Sequence, residues 1–179
     1  MQTRDSLQCL EETIAYYLEQ LRGISEDQLI LKPSEDDWSI GQMVVHLIQA
    51  TQNMSLRNID LCKEGNPDTI VASTKTEAGE AMFLNNGFPD VKISVPPSPQ
   101  YTPQQPNGKE ELSQGLNNII QRMKEIEPAI NGIPMERAMN HPRLGALNAQ
   151  EWFVLAEFHF RHHLKQLHRL QQSIGAGAS

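Results

Sequence analysis

The chain carries 15 Lys+Arg against 22 Asp+Glu over 179 residues, a formal net charge of −7, and no basic run. Binding a phosphate backbone depends on clustered cations, so nucleic acid is not an expected partner. With 39% hydrophobic residues, that length suits one domain, residues 1–179, able to bury its core without disulfide or metal staples.

Apolar stretches of only a few residues leave nothing to span a bilayer, so no membrane partner is expected. The opening MQTRDSLQCLEET lacks the basic-then-apolar layout of a secretion signal, and a cytoplasmic location is the expectation. The first amphipathic stretch runs from about Asp5 to Leu21, with Leu7, Leu10, Ile14, Leu18 and Leu21 at steps of three and four. Gly23 stops it. Its Cys9 stands far from Cys62 with no CxxC spacing, so both read as packing residues in a reducing compartment. After the polar turn around Pro33, a second helix begins at the N-cap Ser39 and extends to about Cys62. Ile40, Met43, Val44, Leu47, Thr51 and Met54 form its stripe, and Trp38 is placed to staple onto Met43. Gly65-Asn66-Pro67 ends it.

Residues 65–108 differ. Six prolines fall between Pro89 and Pro106, so this segment reads as a long crossover draped over helices. A short helix is predicted at Thr74–Phe83 and strand-like alternation at Val91–Val95, and any strand is expected within this segment. A third helix spans about Lys109 to Ile126, carrying Leu112, Leu116, Ile119, Ile120 and Met123, with Glu127-Pro128 and Gly132-Ile133-Pro134 as breakers. The fourth begins at Asn148, where Glu151 completes a capping box, and runs to about Ile174. Four helices with one long Pro-rich crossover between the second and third predict an all-α four-helix bundle.

Five of six histidines fall on predicted helices, four of them on the last: His159, His162, His163 and His168. At about 100° per residue, Trp152, Ala156, His159, His163, Leu167 and Leu170 share one seam. His159 and His163 therefore face inward one turn apart. A single inward histidine is usually a satisfied core residue. Two adjacent ones each need a donor and an acceptor, or they share a metal ion, which is why His-x-x-x-His recurs on metal-binding helices. His162 and His168 point to the side and to the opposite face. His46 sits on the shoulder of the second helix's stripe and is the candidate third ligand, giving three nitrogens with open positions for water or substrate. Gln166 flanks the seam one turn after His162, placed either to contact a ligand or a ring nitrogen or, the preferred reading, to stand as a polar residue at the solvent edge; Glu157 points away from the seam.

The residue after His159 is Phe160, so this is not the HExxH of a metalloprotease, and no Glu-x-x-His pair offers a di-iron site. Trp38-Ser39 followed by His46-Leu47 resembles the Trp-Ser-…-His-Leu segment of the DinB-like superfamily. Asn140-His141-Pro142-Arg143-Leu144-Gly145-Ala146-Leu147, leading into His159-Phe160-Arg161-His162-His163-Leu164-Lys165-Gln166, is similar to that superfamily's "HPxLGxL" and "HxxHHxxQ" signatures. The likeness covers all four helices in order; the Pro-rich crossover lies outside it.

The resemblance implies a four-helix bundle of the DinB/YfiT type, commonly a homodimer. It implies a divalent transition metal (nickel, zinc or iron) at His46, His159 and His163. It also implies a small-molecule substrate and an activity such as thiol-dependent S-transfer or hydrolysis, with a low-molecular-weight thiol as cofactor in some relatives. The alternative from a different class is a non-catalytic metal-binding bundle serving as a dimeric binding or structural module. A fourth protein ligand sealing the metal favours the module; open positions favour the enzyme.

Overall fold

A computed structural model of the chain describes residues 2–65, 69, 74–89 and 102–176. In chain order the elements are α1 (Thr3–Arg22), a short α2 (Glu26–Ile30), and α3 (Ile40–Ala50), which passes through a π-helical segment (Thr51–Leu56) into α4 (Arg57–Glu64). Then come α5 (Glu77–Leu84), α6 (Lys109–Ile130), an antiparallel hairpin of β1 (Ala138–His141) and β2 (Gly145–Asn148), and α7 (Ala149–Ala176). The bundle consists of α1, the continuous α3–α4 rod, α6 and α7.

Side-chain pairs give the helix directions. Thr3 at the start of α1 donates to Glu127 near the end of α6 (3.2 Å), so those two are antiparallel. Tyr17 donates to the carbonyl of Phe160 and Gln171 pairs with Gln20, so α1 runs parallel to α7. Ile48 lies against Gly115 and Asp60 pairs with Arg122, so the α3–α4 rod runs parallel to α6. The order is up, down, down, up. Two parallel neighbours cannot be joined by a tight turn, and a helix of 22 residues is about 33 Å long. The chain between α4 and α6 must travel back along the bundle, which is the physical reason for a long crossover. Val91–Val95 and most of the Pro-rich run lie outside the described residues.

The core takes Leu10, Ile14 and Leu21 from α1, Met43, Val44 and Leu47 from α3, and Leu112, Leu116, Ile119 and Met123 from α6. These are the predicted stripes. α7 is buried on more than one face: every residue from Trp152 to Phe158 is buried, because α1, the rod and the hairpin surround it.

Three details differ from expectation and one reading is met. The stripe predicted through Met54 instead continues through Ser55, Leu56, Ile59 and Cys62, because a π turn inserts one residue and rotates all that follows. α6 does not stop at Glu127-Pro128 but reaches Ile130. Pro128 sits in the final turn, where burial of Ile126 and Ile130 holds the helix, and Gly132 and Ile133 close it by bonding back to Ala129 and Ile130. The short helix expected at Thr74–Phe83 is α5, capped by Thr76. The described strands lie at Ala138–Asn148 rather than within 65–108. There the φ of +78° at Gly145 supplies the left-handed turn residue, and His141 Nδ1 accepts from the N–H groups of Arg143 and Leu144.

Candidate metal centre

Local chemistry fixes where α3 starts. Ser39 Oγ accepts from the N–H of Gln42, and the Gln42 carboxamide oxygen accepts from the N–H of Ser39, a reciprocal cap. Gln42 Nε2 also donates to the carbonyl of Pro103, tying the end of the crossover to this terminus. His46 follows two turns into α3. The Asn148–Glu151 box sets the start of α7 in the same way, so His159 and His163 stand on successive turns of one face.

Antiparallel packing of α3 on α7 brings the three rings together. His46 Nε2 lies 3.1 Å from His159 Nε2, and His163 Nε2 lies 3.2 Å from the same atom. One ring nitrogen from each residue falls within 4.8 Å of the others. All three histidines are half-buried, so the cluster is reached from solvent. Among the described residues no cysteine, carboxylate or further histidine joins the set.

Burial sets the charge state. It pushes His46 down to about 4, and it pushes His163 down to about 4 with the neighbouring His46 adding to the effect. His159 is held well below the ordinary histidine range by burial first, then by His163 and His46. Near neutral pH the three rings are therefore uncharged bases. The Gln166 carboxamide oxygen lies 2.7 Å from His163 Nδ1; accepting there places the ring proton on Nδ1 and leaves the Nε2 lone pair facing the cluster. Of the two readings of Gln166, the contact with a ring nitrogen is the one found, and the preferred solvent-edge reading is corrected. A neutral trio of convergent lone pairs, one of them oriented from behind, fits a divalent cation.

The remaining histidines stand apart. His162 sits beside the trio, its ring 5.4 Å from that of His163 and 4.9 Å from Phe88. His168 is exposed and bonds Tyr16 on α1 (3.0 Å). Burial pushes the Cys62 thiol up to about 11, which suits packing rather than nucleophilic attack.

Two aromatic residues border the cluster that sequence reasoning did not assign to it. The Trp38 ring lies 5.1 Å from His46. Phe88, like Phe83, is half-buried against the core, and its ring lies 6.1 Å from His159. The signal for Trp38 was present, since it directly precedes the cap of the helix that bears His46. Nothing local in the sequence brings Phe88 here. A cleft of about 630 Å³ opens at the start of α1 and α7, between Thr3, Phe83, Glu127 and Glu151, and none of the three histidines lines it.

The family model of the DinB superfamily matches residues 10–167. The Bacillus subtilis (strain 168) protein YuaE is 22% identical over 155 residues, covering 87% of this chain and 90% of the relative. Two solved structures share the fold. YfiT from Bacillus subtilis, described as a probable metal-dependent hydrolase with an unusual four-helix bundle topology, is 17% identical with a TM-score of 0.64, covering 97% of this chain and 87% of YfiT. The four-helix bundle protein TT2238 is 17% identical with a TM-score of 0.59, covering 93% of this chain and 98% of that one.

Proposed function

The chain belongs to the DinB superfamily, and from that premise we propose that it is a metal-dependent enzyme acting on a small molecule, a hydrolase or a thiol-dependent S-transferase. The observation that supports this reading is the convergence of the Nε2 atoms of His46, His159 and His163 at a half-buried, solvent-reached point. These three nitrogens would hold the ion. When bound, a divalent metal there supplies Lewis acidity, which lets water or a thiol act as a nucleophile near neutral pH.

The protein's own groups do the rest. Burial keeps the three imidazoles unprotonated, so no proton need be displaced from them at pH 7 for their lone pairs to be available. Gln166 orients His163. Because three protein nitrogens leave positions open, and no fourth protein ligand stands among the described residues, the enzyme reading is favoured over a sealed structural module.

The test is metal content of the purified protein, followed by ester and amide hydrolysis and thiol-conjugation assays with and without chelator. His163→Ala should abolish stoichiometric metal and any activity, because two neutral nitrogens rarely hold a divalent ion against water. His168→Ala should leave metal content unchanged, since its ring bonds Tyr16 away from the cluster. Equal metal loss in both variants would count against the site. The same reading extends to a homodimer, supported by the family resemblance and by exposed Leu84 and Met135; sedimentation showing only monomer at micromolar concentration would exclude it.

A further inference from the structure

An ion pair between a buried carboxylate and an exposed guanidinium connects α7 to the ring that walls the histidine cluster. Glu157 is only 1% exposed, and both of its oxygens accept from Arg161 one turn later, at 2.7 and 3.0 Å. The same guanidinium donates to the carbonyl of Asn86 (2.7 Å) and lies over the Phe158 ring. Asn86 is the left-handed residue (φ +51°) that ends α5. Its N–H returns to Phe83, and the N–H of Gly87 returns to Met82, the paired bonds of a Schellman motif. The direction in which the chain leaves α5 is therefore set twice, by the motif and by Arg161. The next residue is Phe88, against His162 and His159.

Trp38 borders the cluster from another element, against His46. Both aromatic residues pack partly on the core and retain exposed surface. We propose that Phe88 and Trp38 form an aromatic subsite beside the three histidine nitrogens, selecting ligands whose metal-directed donor group is carried directly on an aromatic ring, and that Arg161 is the positioning residue that holds Phe88 in it. This deepens the metal-enzyme reading and rests on it. Flat rings gain from offset or edge contact with Phe and Trp, and half-buried rings still have apolar surface to cover.

The test uses the full chain loaded with Co(II), whose visible absorption reports both metal uptake and ligand binding. Acetohydroxamate and benzohydroxamate present the same donor atoms and differ in the ring. Benzohydroxamate should bind at least about tenfold more tightly, equivalent to about 1.4 kcal/mol. Phe88→Ala and Trp38→Ala should each cut that preference to about threefold or less, whereas Phe88→Tyr should keep it. Removing Arg161 alone strands a buried carboxylate, so Glu157→Gln is combined with Arg161→Met. That double variant should lose the preference while binding Co(II) as the parent does. Equal affinity for the two hydroxamates in the parent, or a preference that survives both alanine variants, overturns the subsite and leaves the metal reading standing. A preference lost in Phe88→Ala but intact in the double variant overturns the role of Arg161. Failure to bind Co(II) at all overturns the metal reading and the subsite with it.

Discussion

The carboxamide of Gln166, 2.7 Å from Nδ1 of His163, shows how one residue behind a ligand governs the ligand itself. A neutral imidazole has one donor and one acceptor nitrogen, so an acceptor at Nδ1 decides that Nε2 is the base. Replacing Gln166 by Leu removes that preference and lets the ring turn. The expected outcome is a loss of about 10- to 100-fold in metal affinity, with helix content unchanged, measured by competition against a chromophoric chelator. Gln166→Glu should restore or exceed the parent affinity, because a carboxylate accepts from Nδ1–H more strongly. A Leu variant with parent affinity would show that packing alone orients the ring. His159 and His163 themselves were legible from spacing, since residues four apart share a helix face whatever surrounds them. Gln166 was legible only as one of two alternatives, because three residues beyond His163 it sits at the margin of the seam, and the rotamers of both side chains decide whether oxygen meets nitrogen.

At the scale of elements, α5 is held to the hairpin by close backbone approach. Thr76 donates its N–H to the Leu144 carbonyl and its hydroxyl to the Arg143 carbonyl, while its side chain caps the N–H of Gly79. A Cβ placed on Gly79 would stand 2.3 Å from the Leu144 carbonyl oxygen. Gly to Ala within an exposed helix usually stabilises by about 1 kcal/mol. Here the clash is with backbone, which cannot swing aside like the end of a side chain, so the sign should reverse. Gly79→Ala is expected to destabilise the fold by about 1–3 kcal/mol, the range of an overpacked site, read from urea denaturation midpoints. A variant as stable as the parent would mean that α5 detaches from the hairpin at little cost. The capped helix starts at Ser39, Asn148 and Thr76 follow from residues within one turn and were read correctly or nearly so. The hairpin was missed because Ala138–Asn148 offers only four residues per strand and little alternation.

Taken as a whole, the bundle brings three uncharged histidines to one half-buried point, and that sets a pH dependence. Their folded pKa values lie below the ordinary histidine value, so the unfolded chain binds protons first as pH falls. Stability from this source is complete above about pH 6.5, and it declines as pH falls toward about 4, where His46 and His163 titrate in the fold. Each such histidine contributes up to about 1.4 kcal/mol per pH unit in that window. For metal-free protein, urea unfolding across pH 7 to 4 should show a declining limb, shallower in His159→Ala. A limb of equal slope in that variant would assign the effect to other groups. Bound metal should resist the decline, since an ion held by the folded state alone adds its binding free energy to stability.

Periodicity and capping are local, so the chain by itself determined where its main helices start, which residues share a face, and that two histidines look inward together. Composition added the acidic balance, and among the described residues no helix is long and apolar enough to cross a membrane. What the tertiary structure decided is how those faces meet. That His46 reaches His159 at 3.1 Å depends on the height at which α3 packs against α7. That height is set by the core side chains of four helices acting together, not by any segment's own pattern. The survival of α6 through Pro128 shares this origin, and the arrival of Phe88 beside the histidines needs both the local turn that ends α5 and Arg161 on α7. At Pro128 burial of Ile126 and Ile130 outweighs a local preference of about 3 kcal/mol. A stripe on a helix tells which side is buried, and only the neighbours tell what it is buried against.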